Sequence, residues 1–370
     1  MLCAFTALCA ACGANPASSV AKSSSSREEL IKYSNLAVDA GFDTIYQYTE
    51  YGYDSSLMSQ RFTQGASLFT QCNNLFDIYN DYDGINNIKS INDNAGIAPV
   101  KVDYIVIDML ETAQDFYEYT NGSFDITIGS LLHVWHEYRD KGIALNNEGK
   151  PGPVPSMEEL QEANTSGWEH VHIDRDNSTV YIDDPAISLD VGGIAKGYAA
   201  EYIAQALPQD EIVSAIVNAG RNIRTINQKF DGSQWVVGIV APDSGESLVK
   251  VMTDGSQSIV TSGDYERFYI GEDEQTYHHI IDPTTLFPAN YYRSVTIVTG
   301  DSTAADCLST ALFVVDIEEG MNILARYTEA TGERIDAVWV MDPEKPQGDC
   351  YDVGDYKVAY TAGLEGNISW

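Results

Sequence analysis

Basic side chains are scarce in this chain of 370 residues: 21 Lys and Arg stand against 55 Asp and Glu, a formal net charge of -34. Such a balance repels phosphate backbones and anionic headgroups, which argues against nucleic acid or an anionic membrane surface as an electrostatic partner. Cysteine is also sparse. Beyond Cys3, Cys9 and Cys12 the chain holds Cys72, Cys307 and Cys350, too widely spaced for a disulfide framework or a C-x-x-C metal site, and they read as small buried residues. After the first dozen residues no run is long and apolar enough for a transmembrane helix. There is no internal repeat, and no linker follows residue 28.

What the chain does contain is 44% hydrophobic residues, ample for a core. Met1 to Cys12 is apolar and small, and Gly13 to Ser26 is rich in Ser and Ala. This resembles the end of a bacterial lipoprotein signal (residues 1–12), with Cys12 as the lipidated residue and 13–28 as a tether to the membrane surface. No Lys or Arg precedes the apolar run and Cys9 stands where Leu is usual, which leaves open a start further upstream. Residues 29–370 are expected to form one catalytic-size domain.

Apolar periodicity predicts helices over Ser55 to Phe76, from Val102 to Phe116, after Ser156, over Ile194 to Leu207, Thr303 to Val315 and Ile317 to Thr328. Between Tyr79 and Gly96 a polar loop is expected, and Ser123 to Leu132 reads as a strand-to-helix corner. Short β-like runs are Thr44 to Tyr48, His170 to Ile173, Thr179 to Ile182, Ala186 to Leu189, Ser214 to Val217 and Ile223 to Ile226. They continue with Trp235 to Val240, Leu248 to Met252, Ser258 to Thr261, Arg267 to Ile270, Tyr277 to Ile281, Ser294 to Val298, Ala337 to Val340 and Lys357 to Tyr360. Helices gather early and late while strands fill the middle. That order predicts an α+β fold, a single large domain with antiparallel or mixed sheets flanked by helices.

Four stretches could carry chemistry. Ser188 to Ala200 joins an apolar run to a helix through Gly192, Gly193 and Lys196, the layout of an anion site, although it fits neither G-x-G-x-x-G nor G-x-x-x-x-G-K-[ST]. Tight packing would explain the glycine pair equally. Asp306 and Thr310 lie four apart on one helix face, a carboxylate and a hydroxyl suited to magnesium; a surface Asp and a Thr bonded back to its own helix is the plain alternative. Val260 to Tyr265, with Ser262 and Asp264, is a small-residue turn after a strand that could bind a sugar or phosphate edge or simply turn the chain. In His278-His279, taken as a strand, the two rings face opposite sides, so one of them at most serves a given site as a base. Tyr79, one of 23 tyrosines, could stack on an aromatic ligand.

Taken in order, Phe124-Asp125-Ile126-Thr127, Asp190-Val191-Gly192-Gly193-Ile194-Ala195-Lys196-Gly197, Asn218-Ala219-Gly220, Thr261-Ser262-Gly263-Asp264-Tyr265, His279-Ile280-Ile281-Asp282-Pro283 and Asp306 with Thr310 resemble the ApbE-like family, the FAD:protein FMN transferases. The resemblance runs from about Thr44 to Val340. It implies FAD as substrate, a magnesium ion, and transfer of FMN to a Thr or Ser hydroxyl of an acceptor flavoprotein with release of AMP. It further implies Asp306, Thr310 and the Ala195 carbonyl as metal ligands and His279 as the base. Lys196, Gly192 and Gly193 would lie near the phosphates, Ser262 and Asp264 near the adenosine or phosphate part, and Tyr79 near the isoalloxazine. The acceptor would be a subunit of an electron-transport complex acting in trans, met outside the cytoplasmic membrane of a bacterium by a lipid-anchored enzyme. An FAD pyrophosphatase and a non-catalytic flavin-binding lipoprotein are the alternatives. Three positions depart from the family pattern: Gly220-Arg221-Asn222 replaces Gly-Gly-Asp, Leu286 stands for Gly, and Ile126 for Pro.

Overall fold

A computed structural model describes residues 29–370, so the expectations for the leader, the tether and Cys12 lie outside the described residues. Among the described residues eight α-helices form: α1 Ser55–Phe76, α2 Ile88–Asp93, α3 Tyr104–Tyr119, α4 Gly129–Asn147, α5 Met157–Ala163, α6 Ala195–Ala206, α7 Ser302–Phe313 and α8 Ile317–Thr331. A nine-stranded antiparallel sheet runs in the order Ile31–Gly41, Thr44–Gly52, Ser214–Ala219, Asn222–Ile226, Ser258–Gly263, Ser294–Thr299, Ile335–Met341, Tyr356–Tyr360 and Tyr351–Val353. The class is α+β, in a single domain, as the order of elements implied.

Both faces of this sheet are covered at its centre. In Ile335–Met341, residues Ile335, Ala337, Trp339 and Met341 join the helix-side core, while Val338 and Val340 face a smaller sheet of Trp235–Val240, Ser247–Thr253 and Ile368–Ser369. Alternate side chains point to opposite faces, so a strand buried on both sides reads as a nearly continuous apolar run, interrupted here by the buried Asp336.

On the helix side, α7 lies deep. Asp301 caps it, its side chain accepting from Ala304 N at 2.9 Å, and every residue from Ser302 to Phe313 except Thr310 is buried. α6 meets α7 closely because Gly197 has no side chain: a Cβ there would come 2.4 Å from Ser302 O and 2.5 Å from Asp306 Cβ. Glu201, one turn on, accepts from Ser302 N at 2.9 Å and pairs with buried Arg224 at 2.8 Å. One carboxylate thus ties α6, the start of α7 and the sheet together.

Several segments differ from the sequence reading for identifiable reasons. Ile31–Gly41 is a strand with a largely exposed pattern, so it shows no apolar alternation to betray it. The polar loop contains α2, closed by a capping box in which Asn87 and Ser90 satisfy each other's backbone N–H. Ala186 to Leu189 is not a strand; it makes one isolated parallel bridge, Ile128 to Ser188, and Ser123 to Ile128 is turn and bridge rather than strand. The strand expected at Tyr277 to Ile281 stops at Tyr277, so the alternation argued for the two histidines does not apply.

Gly197→Ala should destabilise the fold by about 2 kcal/mol or more, since backbone and a buried side chain must both move. Denaturant unfolding checks this; wild-type stability in the variant would show that the close approach of α6 and α7 does not depend on the missing side chain.

Candidate functional site

A cavity of about 510 Å³ opens beside the N-termini of α6 and the face of α7 that carries Asp306 and Thr310, within the range of about 300–1,000 Å³ usual for ligand sites. Its wall includes Tyr79, Gly192, Gly193, Ala195, Lys196, Ser262, His279, Asp306 and Thr310. Tertiary folding therefore gathers residues more than two hundred positions apart in sequence into one wall.

Asp306 is buried, and its Oδ2 accepts from Gly197 N at 2.7 Å. Lys196 Nζ stands 4.0 Å from the same oxygen and 3.3 Å from Gly192 O. Burial raises the carboxyl's pKa, and Lys196 and the Gly197 N–H oppose that rise; a further cation in the cavity would relieve it. Thr310 bears on the choice left open by the sequence. Helix threonines here commonly bond back to the carbonyl four residues earlier, as Thr63, Thr112 and Thr331 do. Thr310 Oγ1 makes no such bond among the described residues; its neighbour Ser309 takes Asp306 O instead, at 3.0 Å. One carboxylate, one unpartnered hydroxyl and a helix-terminal carbonyl at Ala195 are hard oxygen donors of the kind magnesium takes, with room for water and phosphate.

The glycine turn is less open than expected. Gly192 N donates to Asp190 Oδ1 at 2.8 Å, which leaves the Gly193 N–H without a protein acceptor among the described residues. Gly193 also sits close over Thr310, where a Cβ would lie 3.3 Å from Oγ1. Ser262 Oγ bonds Ser309 Oγ at 2.8 Å in the wall. Asp264 is placed elsewhere: it does not line the cavity, because its carboxylate is taken by Arg293 Nε at 2.6 Å. Burial pushes that carboxyl up to about 6 despite the guanidinium.

His279 Nδ1 lies 3.0 Å from the Glu266 carbonyl, so Nδ1 carries the proton and Nε2 keeps its lone pair. Burial, with His278, Arg267 and Lys196 nearby, lowers its pKa to about 3, which keeps the imidazole neutral at pH 7. His278 points away and bonds Ala289 O at 2.7 Å.

Two of the departures preserve backbone shape. Arg221 and Leu286 both take left-handed conformations, at φ 73° and 65°, the region glycine enters freely. Asn218 Oδ1 accepts from Arg221 N at 2.9 Å, and Leu286 N bonds Asp282 O at 2.8 Å. The chain holds these turns by local hydrogen bonds in place of glycine. The Arg221 side chain does not line the cavity but pairs with the carboxylate of Glu266, which does.

Sequence reasoning missed several wall residues, among them Phe42, His136, Arg139 and Arg267, and gave no role to Asp125 and Asp190, which stand in its motifs. A signal existed for two of them: Leu132, His136 and Arg139 follow helical spacing on α4, which puts polar groups on a face otherwise turned inward.

Comparison with known proteins gives a consistent result. The ApbE family pattern matches residues 42–333. An FAD:protein FMN transferase of Klebsiella pneumoniae is 28% identical over 302 residues, 80% of this chain and 89% of that protein. Another, of Treponema pallidum, is 35% identical over 256 residues, 65% of this chain and 68% of its own length. Among solved structures, the ApbE protein of Thermotoga maritima superposes with a TM-score of 0.72 at 28% identity, over 92% of this chain and 99% of that one. The flavin transferase ApbE of Vibrio cholerae gives 0.69 at 25% identity, again over 92% and 99%.

His278 also sets a pH dependence. Burial lowers its pKa from 6.5 to about 4, so the unfolded chain binds the proton more readily and stability falls as pH drops below about 6.5. Between pH 7 and pH 5 this single group should remove on the order of 2 kcal/mol. Denaturant unfolding of wild type and His278→Gln checks it: the variant should show a shallower loss, and parallel curves would refute the assignment.

Proposed function

The chain belongs to the ApbE family and is a transferase, and from that premise we propose that it moves FMN from FAD to a Thr or Ser hydroxyl of an acceptor protein, releasing AMP. The observation that carries this reading is the meeting of a buried carboxylate, a free helix hydroxyl, a lysine and a neutral histidine in one cavity wall.

Asp306, Thr310 and the Ala195 carbonyl would hold a magnesium ion. When bound, it would supply charge neutralisation for the pyrophosphate and for the departing AMP. The protein's own groups do the rest. Lys196 and the free Gly193 N–H offer positive potential to phosphate oxygens at the start of α6. His279, neutral and with Nε2 free, takes the proton from the acceptor hydroxyl as its oxygen forms a bond to the FMN phosphorus. The bond between the FMN phosphorus and the bridging oxygen breaks, and that oxygen leaves with AMP. Tyr79 and its neighbours at the rim face the flavin end.

We place the acceptor in trans, as a flavin-carrying subunit of an electron-transport complex. The same reading puts the enzyme on the extracytoplasmic face of a bacterial membrane through a lipid on Cys12. Hydrolysis of FAD to FMN and AMP by the same groups would need only water in place of the hydroxyl, so the assay must separate the two.

Incubation with FAD, magnesium and a candidate acceptor should give the acceptor a mass gain of one FMN; AMP with free FMN would mark a pyrophosphatase, and neither product a flavin binder. Asp306→Ala should lower magnesium-dependent turnover by ~10³-fold or more, and unchanged EDTA-sensitive kinetics in that variant would remove Asp306 from the metal site. Cys12→Ser should move the protein from the membrane fraction to the soluble fraction; retention would overturn the lipid anchor.

A further inference from the structure

Three polar side chains in the cavity wall stand in a row, and two of them, His136 and Asp190, have no part in the proposed reaction. Tyr79 Oη lies 2.7 Å from His136 Nδ1, His136 Nε2 lies 3.7 Å from Asp190 Oδ2, and Asp190 Oδ1 accepts from Gly192 N at 2.8 Å. The row runs from the rim of the cavity to the glycine turn that leads into α6.

The fold fixes its two inner members. Asp190 N bonds Ile126 O at 2.8 Å and Gly129 N bonds Ser188 O at 2.9 Å, which lays the start of α4 along the 188–190 segment. His136, two turns into α4, is thereby held beside Asp190, its side chain only 17% exposed. Burial lowers its pKa. A neutral imidazole carries one proton, and the Asp190 carboxylate draws it to Nε2, so Nδ1 is left as an acceptor for the Tyr79 hydroxyl.

Besides His136, the Arg139 guanidinium lies near the hydroxyl of Tyr79. The residue is 56% exposed, and although Asp77 Oδ1 accepts from its backbone N at 2.6 Å, that bond leaves the side chain free to turn. His136 is the hydrogen-bond partner of its hydroxyl among the described residues.

We infer that His136 is a positioning residue for the flavin end of the cavity: by accepting the Tyr79 hydroxyl it holds that ring at the rim, ready for a planar heteroaromatic ring to stack on it. The inference rests on the flavin reading above. A tyrosine ordered only when ligand arrives lowers affinity by the cost of its ordering, whereas one anchored by folding does not. Asp190 acts one step further back: at 3.7 Å its charge favours the proton on Nε2 without a hydrogen bond.

The test is FAD affinity, read from quenching of flavin fluorescence on the full chain with magnesium present, and AMP affinity on the same samples. His136→Phe should weaken FAD binding ~3- to 10-fold and reduce the quench, with AMP binding unchanged. The loss should appear in KM for FAD rather than in kcat. Tyr79→Phe, at an exposed position that does not threaten folding, should give the same loss, and the double variant should be no worse than either single one. His136→Gln, whose amide oxygen can accept the hydroxyl, should recover part of the affinity. If wild type and His136→Phe bind and quench FAD equally, or if the two single losses add in full, the positioning role is refuted while the flavin reading stands. If wild type itself does not bind FAD, the flavin reading falls and this role with it.

Discussion

The contact between α6 and α7 is the constraint on which the rest depends. Gly197 lets the helices approach until its N–H reaches Asp306, and Glu201 fastens the same pair to Arg224 and the sheet. The close approach is what brings Ala195 and Lys196 beside Asp306 and Thr310. A side chain at 197 would separate the helices and take away the donor facing Asp306 at once.

That geometry also sets the electrostatics. The chain is strongly acidic overall, and the cavity wall carries Asp43, Asp77, Asp125, Asp190, Glu266 and Asp306 beside Arg139, Lys196 and Arg267; at the start of α6, Lys196 faces the buried Asp306 carboxylate. A buried carboxylate without a full counter-ion is costly, and at 4.0 Å Lys196 compensates only in part. The site is therefore suited to a ligand that arrives with a cation and brings phosphate oxygens for the donors. His279 is held neutral by its surroundings, so the lone pair on its Nε2 is available to take a proton.

The rim follows a different logic. At the rim the structure orients a ring by one hydrogen bond, between the exposed Tyr79 and the largely buried His136. The turns at Arg221 and Leu286 likewise hold a backbone conformation by hydrogen bonds where glycine would reach it unaided. Side-chain identity at these turns can vary because the backbone, not the side chain, shapes the wall.

Much of the fold was legible in the sequence because helix and strand periods are local. Ser55 to Phe76 and Trp235 to Val240 coincide with their elements, and the one-face spacing of Asp306 and Thr310 follows from the helix itself. The strand Ile31–Gly41 was not legible, since its exposed faces carry no alternation. Asp264 was drawn to the ligand by its neighbours in sequence, but Arg293, supplied by another strand edge, claims it. Whether Thr310 bonds to its own helix, which glycine N–H stays free, and that His136 meets Tyr79 were decided only by tertiary structure. Sequence patterns record which way a side chain leaves its own element; its hydrogen-bond partner is chosen by whatever other elements pack against it.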